Sequence, residues 1–269
     1  MAIIALHSAA TGLNALETQI DVIANNLANV NTTGFKASRV NFEDLLYQNK
    51  AQPGVENANG DKRPTGIHVG LGVQIANTDR SFEQGAPVNT HRPTDVMIQG
   101  NGFFAVDIPE ETSTGIGYTR AGNFIINADG ELVLGTLDGP RLEPPVTIPS
   151  GAEEIDITSD GRVFVRVSGA AEASEVGQIE LSSFINPTGL ISIGGNIFVE
   201  SDASGPPIEG TPGEAGFGTL VNGFLEDSNV DPVTELVDLI KAQRAFEMNS
   251  QVIQAADQAL QVLSNLRRF

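Results

Sequence analysis

Apolar residues recur at alternating intervals of three and four at both ends of the chain. Near the start they are Leu6, Ala9, Leu13 and Leu16, continuing through Ile20, Ile23, Leu27 and Val30. Near the end they are Leu239, Ala242, Phe246 and Asn249, then Ile253, Ala256, Leu260 and Leu263. The spacing predicts amphipathic helices over residues 3–31 and 233–264. Sustained 3-4 spacing is a coiled-coil seam, which asks for a partner helix rather than a broad core. One such seam returns too little burial to offset the ordering of a long helix. The two ends are therefore expected to stay mostly unfolded in a lone subunit and to fold on assembly. Asn249, the only polar member of its seam, either sets the alignment of packed helices or sits at the wet edge of the stripe.

The boundaries of these helices are written in residue types. Asn31-Thr32-Thr33-Gly34 combines weak helix formers with a glycine suited to a left-handed cap. Asp231 followed by Pro232, with Glu235 in the first turn, is a helix start. Phe42, Leu45, Leu46 and Tyr47 give a short apolar face, and residues 48–66 read as a long polar loop that is either a linker or a functional element. From Val69 to Asn222 the pattern is β. Asp129-Gly130 and Asp160-Gly161 each separate two apolar runs, as a tight hairpin turn requires. Residues 201–218 are a second Gly/Pro/Ser-rich loop. The expected fold is α+β: terminal helices packed as a coiled-coil-like inner domain, with a central, mainly antiparallel β domain. Residues 1–36 and 229–269 form the discontinuous helical part, 37–94 a connector, and 95–228 the β part.

Charge narrows the function. The 269 residues carry 34 acidic and 15 basic side chains, a net charge of −19. Nucleic acid is excluded as a main partner, because a phosphate backbone needs a clustered positive face. There is no cysteine, so no disulfide framework or thiolate metal site exists. The first basic residue is Lys36, so the charged start of a cleaved leader is missing, and no apolar run reaches membrane-spanning length. His7, His68 and His91 fall in no metal-binding pattern. Asn127-Ala128-Asp129-Gly130-Glu131 lacks the remaining ligands of a calcium loop and reads better as a hairpin. Gly100-Asn101-Gly102 is half of a dinucleotide fingerprint and reads better as a bend. No catalytic residue, cofactor or metal ligand is expected. Glu110-Glu111 and Glu153-Glu154 are the only hints of paired carboxylates, for a rival reading as a carbohydrate-active β protein.

Three stretches carry a family resemblance. Asp21 through Lys36, reading Asp-Val-Ile-Ala-Asn-Asn-Leu-Ala-Asn-Val-Asn-Thr-Thr-Gly-Phe-Lys, resembles the N-terminal signature of bacterial flagellar axial proteins, the rod and hook family. Ser228-Asn229-Val230, Glu235-Leu236-Val237 and Gln243 through Ser250 resemble its C-terminal signature. Gly100 through Phe104, Tyr118 through Phe124 and Gly130 through Val133 agree in the middle. The length leaves no room for the outer β domain of a hook protein. Phe42 through Gln48, followed by Gln52-Pro53-Gly54, looks like the distal-rod branch, whose proximal-rod kin lack such an insertion.

The resemblance implies a structural subunit that joins copies of itself in a rigid helical tube and transmits torque. It implies contacts with proximal rod proteins, the hook protein and the surrounding bushing (L and P) rings. It further implies export without a cleaved signal peptide, through the flagellar export apparatus, to a rod crossing the periplasm. The expected assembly residues are the seam leucines, isoleucines and Phe246, with Asn25, Asn26, Asn29, Gln243, Arg244 and Asn249 as polar contacts between helices of adjacent subunits. Arg244 inside a bundle requires a carboxylate or carbonyl partner. Gln52, Pro53 and Gly54 belong to an element that stiffens the rod. A proximal-rod or hook-type subunit is the alternative within the family.

Overall fold

The computed structural model describes residues 2–54, 64–109, 115–169 and 172–266, with side-chain surroundings left out at 2–3 and 263–266. The chain is α+β. Helix α1 spans Ala2–Ala28 and helix α2 spans Pro232–Leu266, close to the predicted limits. Asp231 caps α2 as its sequence suggests, accepting from the Val233 N–H at 3.0 Å and from the Thr234 hydroxyl at 2.8 Å. These two bonds hold the Asp231 carboxyl below its ordinary pKa.

The residues divide into two compact units, one of Met1–Leu27, Ser38–Asp79 and Asp231–Phe269, the other of Ala28–Ala37 and Arg80–Val230. In the first unit α1 and α2 run antiparallel. A Cβ on Gly12 would lie 3.1 Å from Asn249 Nδ2, and Asn26 donates to Glu235 at 3.0 Å. Both intervals, 12 to 26 and 249 to 235, are equal in length, as two side-by-side rods require. Strand Ser38–Asp44 pairs with Val73–Arg80. Tyr47–Ala51 pairs antiparallel with Ile67–Gly70, with Gln48 opposite Val69. Residues 48–66 therefore begin and end inside a hairpin, which polar residues had disguised as loop. Their middle, 55–63, lies outside the described residues.

The second unit is the β body. Its largest sheet has seven strands, ordered Ile191–Gly194, Ile197–Val199, Ile116–Thr119, Phe103–Asp107, Leu181–Ser183 and Ile208–Gly210, with Leu142–Glu143 also on Phe103–Asp107. Every registered strand pair among the described residues is antiparallel. Both Asp-Gly hairpins form: Phe124 faces Leu134, and Ile157 faces Val163. Gly100 and Gly102, at φ 113° and 135°, bend the chain from the Val96–Gln99 strand, which pairs with Thr219–Asn222, into the large sheet. One core gathers Val96, Ile98, Phe104, Val106, Leu134 and Leu181, all fully buried. A second, aromatic core stacks Tyr118, Phe103, Phe184 and Phe198 edge to face.

Candidate assembly interface

The helix pair is covered on a small-residue side. In α1 the buried positions are Ala9, Gly12, Ala15, Ile23 and Asn26. Gly12 has no side chain, which lets Asn249 of α2 approach; a Cβ there would press on it at 3.1 Å. The leucines of the α1 seam flank this strip: Leu6, Leu13, Leu16, Ile20 and Leu27 are only half-buried. Ala9 and Ile23 of the predicted seam are buried, and Gly12, Ala15 and Asn26, each one position before a half-buried leucine, are buried beside them. In α2 the seam positions differ in burial. Ala242 is buried, and Leu239, Asn249, Ile253 and Leu260 are half-buried. Phe246 keeps 38% of its surface, and the surroundings of Leu263 lie outside the described residues.

The polar positions separate. Asn26 is 1% exposed and is engaged within its own chain. It donates to the Ser38 carbonyl at 2.8 Å, accepts from the Ser38 N–H at 2.9 Å and donates to Glu235. These bonds tie α1 to the first strand and to α2, as a buried amide must find partners. Burial raises the Glu235 carboxyl pKa, with the Asn26 bond opposing that shift. Asn29 is half-buried at the helix exit, where it accepts from the Thr32 hydroxyl at 3.1 Å. Asn25, Gln243 and Arg244 are exposed, and Arg244 forms no ion pair among the described residues.

Large apolar side chains remain uncovered on the opposite side of α2. Val233, Leu236, Val237, Ile240, Met248 and Val252 are 46–68% exposed. On the hairpin arm, Leu46, Tyr47 and Ile67 are 83%, 57% and 58% exposed, and Gln52, Pro53 and Gly54 are exposed at its turn. Apolar surface of this extent marks a place for another protein surface.

The β body hides a polar clasp that sequence reading missed. Lys36, the last residue of the N-terminal signature, is fully buried and places Nζ 2.6 Å from Glu226 Oε1. The Gly85 N–H donates to the same oxygen at 2.8 Å, and Arg120 Nη1 lies 3.5 Å from Glu226 Oε2, an ion pair without a hydrogen bond. Arg120 also covers the Phe103 ring at 5.3 Å. Burial pulls the pKa of both Lys36 and Arg120 down, and the Glu226 carboxylate opposes it. Gly34 enters the clasp at φ 69°, donating its N–H to the Glu226 carbonyl at 2.8 Å. A Cβ on Gly34 would stand 2.7 Å from the Ala121 nitrogen, so both conformation and space demand glycine. Asn229 accepts from the Ala37 N–H at 2.7 Å and donates to the Ser81 carbonyl at 3.0 Å. Four passes of the chain meet here. The sequence signal was faint: a lysine and a glutamate 190 residues apart carry no local pattern.

The enzyme-like features resolve into structure. Asn127 Oδ1 accepts from the Asp129 and Glu131 N–H groups, which closes a turn rather than a cation site. Glu154 is ion-paired with Arg166, and Glu110-Glu111 lies outside the described residues. Among the described residues no cluster of three metal-ligating side chains occurs, and no helix is long and apolar enough to cross a membrane.

Comparison with known proteins agrees with this layout. Three family models match: Flagella basal body rod protein over residues 6–36, Flagellar hook protein FlgE/F/G D1 domain over 97–165, and Flagellar basal body rod FlgEFG protein C-terminal over 221–266. The chain is 46% identical to the flagellar basal-body rod protein FlgG of Caulobacter vibrioides, covering 98% of this chain and 99% of that one. It is 45% identical to FlgG of Borreliella burgdorferi over 98% of both chains. It is 44% identical to FlgG of Agrobacterium fabrum over 97% of this chain and 98% of that one. Similarity at this level over the full length, together with the matched terminal helices and β body, makes the chain a member of the FlgG family of flagellar basal-body rod proteins.

Proposed function

We propose that this chain is a structural subunit of the distal rod, the shaft that carries torque from the flagellar motor to the hook. The observation that supports it most is the row of large apolar side chains left uncovered on α2, 46–68% exposed in a chain of net charge −19. Such a row is stable only when another surface covers it. Copies joined head to tail by a contact that does not close produce a helical tube, which multiplies interfaces along the shaft. The terminal helices form a coiled-coil-like wall in that tube. At its ends the tube meets proximal rod proteins and the hook protein; along its length it runs through the bushing rings. The rod crosses the periplasm, and its subunits reach it through the flagellar export apparatus.

The test is direct. Concentrated purified protein examined by electron microscopy is expected to show tubes of uniform diameter; persistent monomers at every concentration would end this reading. The hairpin arm has its own measurement. Deleting residues 48–66 is expected to leave export intact and to alter rod length or stiffness, because the exposed Tyr47 and Ile67 lose the arm that presents them. An unaltered rod would return the segment to a linker.

A further inference from the structure

Resting on the self-assembly reading, we infer that the outward side of α2 receives α1 of a second copy, with Arg244 seated between that copy's Glu17 and Asp21. Val233, Val237, Ile240, Met248 and Val252 follow helical spacing on the side of α2 away from Ala242, and each is 46–68% exposed. Arg244 falls within this stripe, with Lys241 nearer its edge. It is exposed and forms no ion pair among the described residues. The acidic neighbours on the helix do not neutralise it: Asp238 pairs with Lys241 at 2.8 Å, and Glu247, one turn further along, forms no ion pair among the described residues.

The outward side of α1 is complementary. Ala10, Asn14, Ala24 and Ala28 are exposed there, small enough to let the large residues of α2 approach. Between them stand Glu17 and Asp21, one turn apart, exposed and without an ion pair among the described residues. Two like charges at this spacing weaken an isolated helix. A guanidinium between them converts that repulsion into charge-assisted hydrogen bonds. The antiparallel register set by Gly12 with Asn249 and Asn26 with Glu235 puts Glu17 level with Arg244 in the same chain, yet the two form no ion pair. They turn away from each other, so the pairing is open only to a second molecule. A second copy is favoured over an unrelated protein because it brings the missing charge and the missing small-residue face on one helix.

The experiment is charge reversal with the full-length chain. Polymer is measured by sedimentation and electron microscopy, and circular dichroism confirms that each variant keeps the wild-type strand signal. Arg244→Glu alone, and Glu17→Arg with Asp21→Arg, are each expected to lower the polymer yield about tenfold or more, the scale of a desolvated interfacial charge pair. The combined variant is expected to recover most of the loss. An Arg244→Glu chain that polymerises like wild type, or a combined variant no better than its parents, overturns the pairing. Either result, in a chain whose Phe246→Asp variant is still blocked, leaves the rod reading standing. A wild-type chain that never polymerises removes both.

Discussion

Glu226→Ala is expected to destabilise the β body by about 3–5 kcal/mol, the scale for breaking a buried ion pair from one side. The glutamate is 1% exposed, and its two oxygens face Lys36, Arg120 and the Gly85 N–H. Truncation leaves an ammonium and a guanidinium buried together with no counter-charge, and strips one backbone donor of its acceptor. For a body of this size the loss corresponds to a fall in Tm of roughly 6–20 °C. Lys36→Met should cost less, because Arg120 remains as counter-charge and the methionine fills the lysine's space. Thermal denaturation followed by the strand signal checks both. Equal Tm values for wild type and Glu226→Ala would mean that the clasp contributes nothing to stability.

Phe246→Asp is expected to abolish tube formation and motility while the β body keeps its fold. The ring keeps 38% of its surface in the subunit, so the aspartate can reach water there and the monomer tolerates it. In a packed tube that position closes, and an unpaired carboxylate would have to be desolvated at several kcal/mol in every copy. The added negative charge also works against association of a chain already at −19. Leu13→Asp should act in the same way from α1. Motile cells carrying either variant, with rods of normal length, would count against these helices as the assembly surface.

The helices were legible because their signals are local: 3-4 spacing and the Asp231-Pro232 start lie within a few residues of the feature they announce, whereas α1 ends at Ala28 and Gly34 serves the clasp. The Asp-Gly turns were legible for the same reason. Spacing pointed to Ala9 and Ile23 of the α1 contact face but not to Gly12 and Ala15, because it weighs bulky residues, whereas close approach depends on small ones. The strands at both ends of residues 48–66 were missed because their polar composition hides pairing that only a distant partner supplies. Arg120, Glu226 and the ordering of the seven-stranded sheet depend on residues far apart in the chain, and no periodicity records them. Asn26 reads in the sequence as a contact between adjacent subunits; its bonds to Ser38 and Glu235, 12 and 209 residues away, leave no local signal.

The clasp also sets a timetable. Its lysine and its glutamate are 190 residues apart, so a ribosome must have made more than four-fifths of the polypeptide before the two can meet. Until then Lys36 and Arg120 have no carboxylate to justify their burial. The β body of a nascent or truncated chain is therefore expected to be looser than that of the finished one.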